Sequence, residues 1–100
     1  MPAPSPMIVE SLRDAVRRGR AAEVRLRLEP LMTAHPDDPD LLDLAAGAAE
    51  ACGDAAAAER HLWRLVAVVP EARWARDELA HFLLRCGRGD EAEEIGRAHV

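Results

Sequence analysis

The chain has no lysine, asparagine, glutamine or tyrosine. All 13 basic residues are therefore arginine, and alanine supplies 20 of the 100 positions. That bias points to a high-GC genome before it points to function. Aromatics are nearly absent, with Trp63, Trp74 and Phe82 as the full set. Two cysteines, Cys52 and Cys86, are too few for a disulfide framework. No run approaches the ~20 apolar residues that span a bilayer. The start, Met1-Pro2-Ala3-Pro4-Ser5-Pro6, has neither the basic nor the apolar region of a secretory signal. The expected location is therefore the bacterial cytoplasm, with no membrane partner. A net charge of −5 argues against nucleic-acid binding, which depends on neutralising phosphates.

Catalytic chemistry is equally short of material. Hydroxyls are limited to Ser5, Ser11 and Thr33. His35, His61, His81 and His99 have no second ligand at zinc spacing. No glycine-rich phosphate loop or nucleophile elbow occurs. The residues predict no enzyme, no metal and no cofactor.

What is present is a repeat. Gly19, Gly53 and Gly87 are 34 residues apart, and so are Pro2, Pro36 and Pro70. Leu28 matches Leu62, Leu31 matches Leu65, and Cys52 matches Cys86 at the same offset. Alanine coincidences come freely in such a chain, but the glycine and proline ladders do not. Each falls where a helix should end. The pattern predicts an all-α fold, an α-solenoid of antiparallel helix pairs with about six helices. Residues 1–4 read as a disordered Pro-rich start and 5–100 as one domain, with units 5–38, 39–72 and a truncated 73–100.

Ser5 and Asp38 read as N-caps, each followed by proline in the first turn. Ile8, Leu12, Ala15 and Val16 form the first apolar stripe. Val24, Leu28 and Leu31 form the second. Leu42, Ala45, Ala46 and Ala49 follow, then Ala58, Leu62, Leu65 and Val66. Pro30 falls inside the second helix and predicts a kink or a break. The last helix is expected from about Gly89 to His99, with Gly96 where earlier units carry leucine. Cys52 and Cys86 would sit roughly 10 Å apart in stacked units. That exceeds the ~7 Å reach of a disulfide, so both are expected to be small buried residues.

A 34-residue helix–turn–helix unit with Gly between its helices and Pro at its end resembles the tetratricopeptide repeat. Ala46 and Ala58 are the small residues that family favours where its two helices approach. Its aromatic preferences are unmet at Ile8, Leu42 and Arg76, so the array looks degenerate. The resemblance implies a groove lined by the first helix of each unit, for a peptide or protein segment. Carried over by position, that groove holds Pro6, Val9, Arg13, Val16 and Arg17. The second unit adds Asp40, Asp43, Gly47, Glu50 and Ala51, and the third Trp74, Asp77, His81, Leu84 and Arg85. Its middle would be acidic, its N-terminal end basic, with Trp74 as an apolar anchor. Such a groove suits a basic and apolar segment. A plainer reading is that these charges solvate a helix face. The variant that clamps a terminal carboxylate is not matched, because those positions read Val9, Arg13, Leu44, Trp74 and Glu78.

Trp63 is expected in the packing between units. At the C-terminal end, Leu79, Phe82, Leu83 and Ile95 are expected to leave an apolar edge, covered by a second subunit or by further chain. The functional expectation is a non-catalytic interaction module. Its alternatives are an accessory segment of a larger enzyme or transcriptional regulator, and a scaffold that self-assembles through that edge.

Overall fold

Three glycines turn the chain. Gly19, Gly53 and Gly87 adopt φ of 84°, 81° and 76°, a region that side chains with a Cβ avoid. At each, two hydrogen bonds close the preceding helix in the same way. Gly19 N–H donates to the Val16 carbonyl and Arg20 N–H to the Ala15 carbonyl. Gly53 and Asp54 repeat this on Glu50 and Ala49, as do Gly87 and Arg88 on Leu84 and Leu83. This is the Schellman closure, which satisfies carbonyls a helix end would otherwise leave bare.

The computed structural model describes residues 4–97. Six helices fill them: α1 (Pro6–Arg17), α2 (Ala21–Ala34), α3 (Pro39–Ala51), α4 (Ala55–Val68), α5 (Arg73–Arg85) and α6 (Gly89–Arg97). No strand occurs among the described residues. The expected disordered start lies outside them apart from Pro4, as does the expected end of α6 at His99.

Side chains cap three helix starts. Ser5 Oγ accepts from Ile8 N–H, Asp38 Oδ1 from Asp40 and Leu41 N–H, and Asp54 Oδ1 from Ala57 N–H. The α5 start has no such cap, because Ala72 stands there. Arg76 instead reaches back from the first turn to donate to the Pro70 carbonyl. Of the kink or break expected at Pro30, the break is absent: α2 runs through it. The carbonyl that loses its partner belongs to Leu26, whose side chain is 68% exposed, so water can reach this side of the helix.

Each helix packs on its chain neighbour, and α1 also packs on α3. Two apolar clusters result. One joins Leu12, Val24 and Leu28 to Leu41, Leu44 and Ala48. The other joins Leu42, Leu62 and Leu65 to Leu79, Phe82 and Leu83. Met32 touches both. Each fully buried Leu or Phe contributes roughly 1.5–3 kcal/mol, which offsets the cost of ordering so short a chain.

Four expectations are corrected here. Leu79, Phe82 and Leu83 are not an exposed edge but core, because α6 folds back onto α5 with Ala92 buried and Ile95 half-buried against them. Ile8 faces solvent while Val9 is buried, so α1 is rotated from the expected stripe, and Val9 leaves the groove. Both cysteines are exposed, since each ends a helix beside a turn glycine. Trp63 is 42% exposed on α4, its Nε1 donating to Glu59 at 3.1 Å.

Candidate functional site

The first helices of the three units, α1, α3 and α5, meet around a hollow of about 190 Å³. Arg13, Val16 and Arg17 line it from α1, Asp43, Leu44 and Gly47 from α3, and Glu78 from α5. Helical spacing puts these side chains together. Asp40, Asp43, Gly47 and Glu50 recur every three or four residues on α3, and Trp74, Glu78, His81 and Arg85 do so on α5. Gly47 leaves the floor open, with no atom within 4 Å of where a Cβ would stand.

The acids expected to make the middle of the groove acidic are largely bridged. Arg13 Nη1 donates to Asp43 Oδ2 at 2.9 Å, with Glu10 at 3.4 Å and Asp40 at 4.0 Å from the same guanidinium. Burial opposes the Arg13 charge, but these carboxylates more than offset it and raise its pKa. Arg85 holds Glu50 through two bonds, at 2.7 and 2.8 Å. That is the fork geometry in which arginine binds carboxylate most strongly. Asp77 lies 3.9 Å from Arg73 on the outer side of α5. Trp74 and His81 are exposed beside it. Arg17 is exposed and 3.9 Å from Asp14.

Glu78 is the residue the groove assignment missed. Glu78 keeps contact with solvent, yet partial desolvation raises its pKa above the ordinary carboxylate range, and the hydrogen bond and charge of Asp43 raise it further, against the pull of Arg85 and His81. Its spacing of four from Trp74 was the available signal. The hollow therefore has a guanidinium wall, an acidic wall and an apolar floor.

A larger hollow, about 460 Å³, lies on the second-helix side, lined by Arg25, Leu28, Glu29, Met32, Thr33, Ala45 and His61. Arg25 is bonded to Asp54 at 3.0 Å, and burial, then Arg60 and Arg25, lower the His61 pKa toward the neutral imidazole. Among the described residues, no group of three His, Cys, Asp or Glu could hold a metal ion. None of the described helices is long and apolar enough to cross a membrane.

Two ion pairs on this side repeat with their charges exchanged. Arg25 on α2 holds Asp54 at the α4 start. Exactly one 34-residue step later, Glu59 on α4 holds Arg88 at the α6 start, through bonds of 2.6 and 3.1 Å. Pairing Arg25 with Arg88, or Glu59 with Asp54, would oppose like charges. The exchange thus disfavours those swapped pairings of helix ends. Compared with models of known families and with curated proteins, the chain matches none of them.

Proposed function

We propose that the chain is a non-catalytic interaction module of the tetratricopeptide type, an α-solenoid of three helix pairs that holds an extended peptide or protein segment across α1, α3 and α5. The hollow between those helices carries the reading, because one wall is basic, the other acidic and the floor apolar. A segment with an arginine or lysine would place it against Glu78. Its neighbouring apolar side chain would lie over Gly47 or against the exposed Trp74. The acids that could serve as proton carriers are mostly held in ion pairs, which supports recognition over catalysis.

The test is an NMR titration of labelled protein with a peptide array that varies basic and aromatic residues. Binding should shift the amides of Gly47 and Glu78 and lower tryptophan accessibility. Gly47→Gln, which fills the floor, and Glu78→Arg, which removes the acidic wall, should each abolish the response without changing helicity. Shifts confined to the α2–α4 side would overturn the assignment.

A further inference from the structure

Met7 is 79% exposed, yet its equivalents one and two units on, Leu41 and Ala75, are completely buried. Leu41 packs in the same cluster as Leu28 of the preceding pair, and Ala75 in the same cluster as Leu62. Met7 is thus the third member of a series of contacts, and it lies open to solvent. Beside it, Ser5, Ile8, Ser11 and Arg27 surround a hollow of about 340 Å³.

The other end of the molecule carries the matching half. Gly96 stands where the earlier units have Leu28 and Leu62, and nothing lies within 4 Å of where its Cβ would be. A Met7 side chain fits the room a glycine leaves. The ion-pair series has a third term too. Arg25 meets Asp54 and Glu59 meets Arg88, so the next pair in order is Glu93 with the residue equivalent to Arg20. Both are exposed in this chain. Charge follows the same direction, since α6 holds four carboxylates to one arginine while the segment from α1 through α2 holds an excess of arginine.

We propose that the α1–α2 end of one copy docks on the α5–α6 end of a second copy. Met7 would sit over Gly96, and Arg20 would pair with Glu93 of the neighbouring molecule. The two surfaces differ, so the contact is head-to-tail and extends rather than closes. Ser11 and Asp14 stand where the internal contacts have Ala45 and Ala48, so the face is half polar and the association weak. This inference is independent of the peptide-groove reading.

Sedimentation of the full chain across a dilution series from ~1 mM to ~10 µM tests it. The expected result is a mass that grows with concentration beyond a dimer. Met7→Glu, Arg20→Glu and Glu93→Arg should each weaken growth about tenfold. The double variant Arg20→Glu/Glu93→Arg restores opposite charges and should recover it. Circular dichroism checks that each variant keeps its helices. A monomer at every concentration would overturn the proposal and leave this face to a different partner. A dimer that stops growing, or growth that Met7→Glu leaves intact, would overturn it as well. So would a double variant no better than the singles.

Discussion

Arg13 on α1 and Asp43 on α3 are 30 residues apart in sequence and 2.9 Å apart in space. The bond ties the first helix pair to the second at the centre of the candidate groove. Asp43 is mostly shielded, with 13% of its side chain exposed, so solvent screens this pair less than a surface bridge. Asp43→Asn keeps the shape and removes the charge. It should cost about 1 kcal/mol, after allowance for the partly exposed arginine. Chemical denaturation checks this, with no loss expected if the pair is merely a surface contact.

Glu78 should make stability depend on pH above the ordinary carboxylate range. The folded chain holds this proton more tightly than the unfolded chain does, because partial desolvation and the Asp43 carboxylate disfavour the ion. Stability therefore falls as pH rises from the ordinary carboxylate range through the raised value, and returns on acidification. Half-buried His61 acts oppositely, losing stability as acid forces its charge. The difference between wild type and Glu78→Gln isolates the first effect. The variant should melt higher above the raised value, with the gap closing as pH falls into the ordinary carboxylate range.

Gly47 and Gly53 separate backbone strain from crowding, because neither has an atom within 4 Å of a built Cβ. Gly47 is mid-helix with ordinary φ, so Gly47→Ala should stabilise by about 0.5–1 kcal/mol. Gly53 has φ of 81°, so Gly53→Ala should destabilise by about 1–2 kcal/mol. Opposite signs in paired urea titrations are the expected outcome.

The exchanged ion pair predicts a rescue. Arg88→Glu should lower the melting temperature by opposing Glu59 and Glu91. Adding Glu59→Arg should recover part of the loss. A double-mutant cycle reads the coupling directly, and additive effects would show that the bridge orders nothing.

Both tryptophans should report solvent. Trp63 and Trp74 are 42% and 45% exposed, so iodide should quench the free protein efficiently. In Trp63→Phe, where Trp74 alone emits, a bound groove peptide should shift emission to the blue and reduce quenching. Unchanged emission on binding would place the peptide elsewhere.

The helix pattern was legible because its punctuation is chemical. Gly19, Gly53 and Gly87 mark conformations other residues avoid, and Asp38-Pro39 combines a cap with a residue suited to the first turn. The side of each helix was harder to read. Ile8 and Val9 differ by one helical step, and only the path of α2 and α3 decides which of them is buried. The burial of Leu79, Phe82 and Leu83 depended on whether a short, Gly-containing segment would fold back as α6. At the candidate groove, Arg13, Asp43 and Gly47, placed together by the family resemblance, line one hollow. The bridge between Asp43 and Arg13 did not follow from spacing within a single helix. Glu78 was hidden for the same reason, since its importance comes from Asp43 on another helix.

The missing cap at Ala72 has a consequence for Trp74, two residues further on. Helix starts with a side-chain cap hold their first amides in place, whereas the first-turn amides of α5 have no side-chain acceptor at Ala72. That turn should open before the rest of α5 does, and its amides should exchange first. The largest side chain on the candidate groove face therefore rides on a turn without a side-chain cap, and in the proposed binding role that turn would let the aromatic contact adjust to segments of different shape.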